Sequence, residues 1–296
     1  MRGRAPGRSR TWVPRRKLQP PLAQGRVDCW RRSQRIGVAK ALSSGRDYKL
    51  TQAADAPWKG TRLQAYLLGE VPFERALEWQ RRLGGEVAAG GAPAVLLCEH
   101  ARLITVGRHG SRGHIFMEED EIAARGWDLC WVGRGGGAWL HSPGQLVVDL
   151  LVPLEPTRPA LGLVLELVRE VLLATAEHLG IRCERDRPGF DVWAGNRPLA
   201  CVGLGVRNWV TCHGAILNIN PDLFMYRKVR CGANCPTMTS LERQRHGPVR
   251  PSQARQVFLE HLVRMFGFAD MAVYSDHPIF TRKASSYAET TAHPRV

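Results

Sequence analysis

The chain has 296 residues, 44% of them apolar, enough for one large domain or two small ones around a sizeable core. Its formal charge of +15 first suggests a nucleic-acid or acidic partner, but residues 1–60 hold 15 Lys/Arg against only Asp28, Asp47 and Asp55. The remainder carries 27 basic and 24 acidic residues, so the basic character belongs to a leader and not to a nucleic-acid-binding core.

That leader is rich in Arg, Pro, Ser and Gly and has no clear apolar period, so ordering it would bury too little surface to offset the lost entropy. It reads as a disordered basic extension. A transit-type segment and a nucleic-acid-binding arm stay open as alternatives, whereas a secretory signal lacks its apolar core. The eight cysteines (Cys29, Cys98, Cys130, Cys183, Cys201, Cys212, Cys231 and Cys235) are scattered, several inside apolar runs, which reads as free thiols rather than a disulfide framework. No run of about 20 apolar residues signals a membrane span. No membrane association is expected, and the protein is expected to be cytoplasmic.

From Arg62 onward the punctuation is regular. Leu63–Gly69 predicts a strand, and Pro72–Val87 a helix with Phe73, Leu77, Leu83 and Val87 on one side. Gly84-Gly85 and Gly90-Gly91 suit the exit of that helix. Ala94–Cys98 and Leu103–Val106 are short apolar strands. Glu118–Arg125 is an acid-started helix closed by Gly126. Trp127–Val132 and Gln145–Val152 read as strands, with a glycine-rich loop at Gly133–Gly137 between them. The longest helix, Ala160–Leu179, carries Leu161, Val164, Leu165, Val168 and Leu172 on one face and ends at Gly180. Strands follow at Val192–Ala194, Ala200–Arg207 and Ala215–Ile219, then a helix at Pro251–Phe266. The pattern predicts an α/β (α+β) fold: a basic extension over 1–60, one domain over 61–270 with helices packed on a mixed sheet, and a polar tail over 271–296.

Three stretches carry chemistry. In Arg134-Gly135-Gly136-Gly137-Ala138-Trp139-Leu140-His141, glycines let backbone approach a ligand and expose amide donors, Arg134 suits an anionic group, and His141 suits proton transfer. A tight structural loop explains the same residues equally well. In Ala200-Cys201-Val202-Gly203-Leu204-Gly205, followed by His213-Gly214-Ala215-Ile216-Leu217-Asn218, the glycines mark a close approach of a ligand or of another backbone. In Lys228-Val229-Arg230-Cys231-Gly232, a thiol lies among cations that favour its thiolate, the setting of a nucleophilic cysteine, although an idle surface thiol explains the same residues. Cys231 and Cys235 with no second ligand pair do not make a zinc site, and no metal or cofactor is expected.

In this order and spacing the motifs resemble those of the lipoyl(octanoyl) transferases, over about Arg62–Phe268. Glu99-His100 and Thr105-Val106-Gly107-Arg108 are similar to that family's first strand pair. Arg134-Gly135-Gly136 with His141-Ser142-Pro143-Gly144-Gln145-Leu146 resembles its glycine-rich motif, and Pro188-Gly189 with Val192-Trp193 matches a further stretch. The Gly203 strand, His213-Gly214, Leu217-Asn218, Asn220-Pro221-Asp222-Leu223, Cys231-Gly232 and Thr239-Ser240-Leu241 complete the likeness. The resemblance implies the catalytic fold shared with biotin and lipoate protein ligases. It implies that Cys231 takes an octanoyl group from acyl carrier protein as a thioester. The acceptor it implies is a lysine on a lipoyl domain of a 2-oxoacid dehydrogenase or on the glycine-cleavage H protein. Residues 134–141 would line the acyl and pantetheine pocket, closed by Cys201, Val202, Gly203, Gly214, Ala215 and Ile216. The family's lysine at the start of the Gly203 strand is replaced by Pro198, which carries no charge; Lys228 or His213 could substitute, and Lys228, three residues from Cys231, is the candidate activator. Ser142 and Arg230 also replace the family's usual residues. An ATP-dependent ligase, which Gly135–Ala138 also resembles, and a non-catalytic binding paralogue remain as alternatives.

Overall fold

The computed structural model describes residues 56–155, 160–184, 189–231 and 237–275. The leader before residue 56, Gly232–Pro236 (with Cys235) and the tail after residue 275 lie outside the described residues. The strands are β1 (Arg62–Glu70), β2 (Ala94–Glu99), β3 (Leu103–Val106), β4 (Asp128–Trp131), β5 (Ala138–His141), β6 (Gln145–Leu151), β7 (Val192–Ala194), β8 (Arg197–Arg207), β9 (Val210–Asn218) and β10 (Asp270–Tyr274). The helices are α1 (Phe73–Ala88), α2 (Glu119–Ala124), α3 (Leu161–His178), α4 (Leu241–Arg245) and α5 (Pro251–Phe266), with short 3-10 turns at Arg112–His114 and Leu223–Arg227.

Seven strands form one mixed sheet in the order β10-β1-β2-β6-β9-β8-β7. β1 runs parallel to β10 and β2, and the pairs from β2 onward are antiparallel. A second, three-stranded sheet, β4-β3-β5, holds the glycine-rich loop between its outer strands. The alternation of side chains across a strand divides the main sheet into two faces. Val95, Leu97, Val148, Leu150, Ala200, Val202, Ala215 and Leu217 join α3 and α5 in one aliphatic core. Leu96, Cys98, Val147, Leu151, Cys201 and Ile216 face α1 and the small sheet. All seven residues of β6 are buried, because both of its faces are covered, which is why its sequence is an almost unbroken apolar run.

The elements follow the sequence pattern closely, with informative differences. Gly84 and Gly85 lie inside α1, where an added Cβ would meet nothing within 4 Å, and the helix exits at Gly90 with φ 94°. Trp58, expected in the leader, is fully buried and its ring lies 5.9 Å from Phe266. At the other end β10 pairs with β1 along Arg62–Tyr66, so the sheet extends to Tyr274, past the expected boundary at residue 270. Among the described residues no helix is long and apolar enough to cross a membrane.

Candidate active site

Arg134 turns inward instead of presenting its guanidinium to solvent. It is 1% exposed, and Nη1 donates to the carbonyls of Gly135 (2.9 Å) and Gly137 (3.0 Å). Nη2 donates to Thr105 O (3.1 Å) and Thr105 Oγ1 (2.8 Å), and the guanidinium carbon stands 3.4 Å from the Trp139 ring centroid. One planar cation thereby satisfies buried acceptors of the loop and of β3, a geometry suited to the five-donor fork of arginine. The same loop is fixed by backbone bonds from Gly107, Arg108 and His109 to Gly137, Arg134 and Gly136, and from Gly135 N to Leu204 O.

Glycines make this closeness possible. A Cβ on Gly203 would lie 2.6 Å from Gly135 O and 2.9 Å from Trp139 Cζ2, and one on Gly107 would lie 2.6 Å from Gly136 O. The close approach expected at Gly203 is therefore made by the glycine-rich loop itself. Strand register aligns Gly203, Gly214 and Asp149 across β8, β9 and β6 on the α1 face, with Cys201, Ile216 and Val147 in the next row.

His141 lies on β5, 3% exposed, with Nε2 3.0 Å from Thr105 Oγ1. Its Nδ1 is buried with no hydrogen-bond partner. Burial, then the neighbouring His100, Arg134 and His213, hold this imidazole well below its usual range, so it is neutral near pH 7. His213, strained at φ 58°, is held down to about 4, by burial first and then by Arg134 and Arg108. Its backbone N–H donates to Gln80 Oε1 (3.0 Å), and the buried Gln80 amide lies against the Asp149 carboxyl. Burial pushes the Asp149 carboxyl up to about 7. Asp191, whose Oδ1 accepts from Val202 N, is likewise pushed up to about 6 by burial.

Cys231 is 5% exposed. Its position is set by a segment that the sequence reading left unassigned: Ile115 bridges Val229 antiparallel, Phe116 N donates to Lys228 O (2.8 Å), and Arg230 N donates to His114 O (2.7 Å). Cys231 and Cys201 both lie within electrostatic reach of Arg134 and of the Tyr226 hydroxyl. Burial brings Arg134 down to about 9, opposed by Cys201, Cys231 and Asp191, so it stays a cation at neutral pH. The Cys98, Cys130 and Cys212 thiols are pushed up by burial, which keeps them protonated and inert.

Lys228 makes an ion pair on a partly exposed surface. Its Nζ pairs with Glu121 Oε1 at 3.5 Å, with both side chains about one-third exposed (37% and 35%). Pro198 is buried in β8, and its carbonyl accepts from Thr239 N (2.8 Å). A polar group missed by the sequence reading closes the site: Gln145 Nε2 lies within hydrogen-bonding distance of Leu140 O, Asn218 Oδ1 and Tyr226 Oη, more acceptors than its two N–H groups, and Tyr226 O–H donates to Asn218 Oδ1 (2.9 Å). Asn218 Nδ2 in turn donates to Thr239 O (3.0 Å). Gln145 and Asn218 stood within the quoted motifs; nothing near Tyr226 in the sequence marked it. Among the described residues no group of three or more His, Cys, Asp or Glu side chains could hold a metal ion.

The structure thus brings Arg134–His141, Cys201, Gly203, Gly214, Ile216 and Cys231 to one face of the sheet, whereas Val202 and Ala215, expected to close the same pocket, point to the opposite face and pack in the core with α3 and α5, because alternate residues of a strand face opposite ways. Residues 72–263 match the model of the lipoyl protein ligase A/B catalytic domain. An octanoyltransferase of Citrifermentans bemidjiense is 35% identical over 175 residues, 59% of this chain and 82% of that protein. One from Maridesulfovibrio salexigens is 30% identical over 203 residues, 67% of this chain and 94% of that protein. Among solved structures, lipoate-protein ligase A bound with ATP covers 75% of this chain and 91% of its own at a TM-score of 0.59 and 17% identity. The bipartite lipoate protein ligase of Thermoplasma acidophilum covers 75% and 89% at 0.55 and 16%. The fold is therefore that of the lipoate ligase catalytic domains, and the chain belongs to the lipoyl protein ligase A/B catalytic-domain family.

Proposed function

We propose that the chain is an acyltransferase of protein lipoylation that moves an octanoyl group through Cys231. The relatives with octanoyltransferase names support the activity. The observation that carries the site is the placement of the buried Cys231 thiol within reach of the buried Arg134 cation. In a water-poor site such a cation favours a thiolate, the form that attacks. Arg134 cannot act as a base, because it does not deprotonate; its part is electrostatic.

The Cys231 sulfur attacks the carbonyl of an octanoyl thioester carried by acyl carrier protein. The donor carbon–sulfur bond breaks, and the departing thiol takes the proton that Cys231 gave up. A neutral lysine amine of a lipoyl domain then attacks the acyl-enzyme carbonyl. The amide forms, and the lysine proton returns to the leaving Cys231 sulfur. The acyl chain is assigned to the glycine-rich loop, Arg134–His141, which itself covers Gly203 and the sheet face around it. His141 stays neutral and is joined to Arg134 through Thr105, so it positions the cation and does not add charge.

Incubation with octanoyl–acyl carrier protein tests this directly. Intact mass should show an octanoyl adduct in the wild type and none in Cys231→Ser; an adduct that survives the substitution sinks the assignment. ATP–pyrophosphate exchange in place of the adduct would instead assign the chain to the ligase chemistry of its structural neighbours.

A further inference from the structure

Two exposed phenylalanines flank the segment that leads to Cys231. Phe116 is 49% and Phe224 57% exposed. Each carries an exposed arginine: the Arg230 guanidinium lies 5.2 Å from the Phe116 ring centroid, and that of Arg227 lies 5.6 Å from the Phe224 ring. The bonds from Phe116 N to Lys228 O and from Arg230 N to His114 O tie residues 114–116 to 228–230, which follow directly on the 3-10 turn that carries Phe224 and Arg227.

The charges there are not equivalent. Arg112 pairs with Glu118 at 3.8 Å, and Lys228 with Glu121 at 3.5 Å. Asp222 is engaged in capping the 3-10 turn, where Oδ1 accepts from Phe224 N (2.9 Å). Arg227 and Arg230 have no acidic partner among the described residues; a phenyl ring holds each instead. Stacking on a ring uses the face of a guanidinium and leaves its in-plane N–H edge for carboxylates. Two pre-positioned cation edges beside two half-exposed rings fit a partner surface that presents carboxylates next to apolar side chains.

We propose that Phe116, Phe224, Arg227 and Arg230 form the docking surface for an acidic carrier protein that delivers the acyl group on a flexible arm. The proposal rests on the acyl transfer reading above. It also follows from the burial of Cys231, which is 5% exposed and so receives its acyl group from an arm and not from the carrier's own surface.

The test compares two donors: octanoyl on an acidic acyl carrier protein, and octanoyl-pantetheine without a protein. The double variant Arg227→Glu/Phe224→Ser should raise KM roughly tenfold for the carrier-borne donor and leave the small thioester within about twofold. Phe116→Ser should act in the same direction. Binding of the unacylated carrier protein to Cys231→Ala should weaken with the same substitutions and with added salt. Equal losses on both donors, no loss on either, or unchanged carrier binding would overturn the proposal. So would a loss confined to transfer from a preformed acyl-enzyme to a lipoyl domain, which would assign the surface to the acceptor. If octanoyl-pantetheine fails to acylate wild-type Cys231, the transfer reading falls by itself, and carrier binding to Cys231→Ala still decides the docking surface.

Discussion

The two faces of the main sheet solve different problems with the same strands. Against α3 and α5, Val148, Leu150, Val168, Leu172 and Leu217 make a close aliphatic core. Against α1 and the glycine-rich loop, the same strands present Gly203, Gly214, Cys201 and Asp149, and the space above them is filled by Arg134, Trp139 and His141. Buried polar atoms without partners occur on both sides, Trp58 Nε1 and His261 Nε2 on the side of α5 and His141 Nδ1 on the second face, so the contrast lies in the glycines and charged groups of the second face. Burying such groups costs stability. One face stabilises the sheet, and the other keeps it chemically useful.

The largest effect that separates the faces is expected at Arg134. Arg134→Met strands the carbonyls of Thr105, Gly135 and Gly137 without their donor and removes the cation near Cys231. We expect a loss of about 3–5 kcal/mol by denaturant unfolding, and acylation of Cys231 lowered at least about a hundredfold. Leu172→Ala on the other face should also cost ~2–5 kcal/mol, yet leave the acylation rate of the folded fraction unchanged. If both variants slow acylation equally, the division between the faces is wrong.

Asp149 offers a pH test of the same contrast. Burial raises its folded-state value from 3.8 to about 7. The folded protein therefore holds this proton more tightly than the unfolded chain. That stabilisation is complete below the unfolded value near 4 and is lost as pH rises to about 7, by roughly 4 kcal/mol at most. Asp191, raised to about 6, works in the same direction. Asp149→Asn should raise Tm by an amount that grows from pH 4 to 7 and then levels off. A gain independent of pH would mean that the folded protein does not raise the Asp149 carboxyl above its unfolded value.

A smaller effect is expected at Gly203. Gly203→Ala places a methyl 2.6 Å from the Gly135 carbonyl, against backbone that cannot swing away. The loop must shift, at about 1–3 kcal/mol, and KM for the small thioester should rise. Gly84→Ala in α1, where an added Cβ meets nothing, should be neutral or stabilising by up to about 1 kcal/mol.

Much of this was legible in the residues. β3, β7 and α5 begin and end where apolar runs and the Pro251–Gly267 punctuation put them, because each is short, continuous and marked at its ends. Arg134, His141, Gly203 and Cys231 were legible as candidate site residues because glycines, a lone cation and a thiol in polar surroundings are unusual in a core. Other features depend on distant partners and leave no local trace. β5 is four residues beside glycines, and β10 is a strand only because β1 offers its edge. Tyr226 lies in a 3-10 turn, and its role exists only through Gln145 and Asn218. The inward turn of Arg134 was equally hidden: the sequence supplies a cation beside glycines, and only the pairing of β3 with β5 shows that Thr105 is its partner.

The smallest expected effect is the most decisive for how Cys231 is activated. Pro198 stands where the resemblance led one to expect a lysine, and Lys228 was the nearest cation in sequence. In the fold Lys228 pairs with Glu121 across a partly exposed surface, and such pairs contribute about 1 kcal/mol or less. The buried Arg134 acts in a less screened environment, where a charge of similar size has a larger effect on a neighbouring thiol. Lys228→Met should therefore change stability by less than about 1 kcal/mol and leave the Cys231 thiolate titration, followed by iodoacetamide reactivity, where it is in the wild type. A shift of that titration by a full pH unit on loss of Lys228 would return the activating role to it, and would mean that Lys228 leaves Glu121 when the thiol ionises.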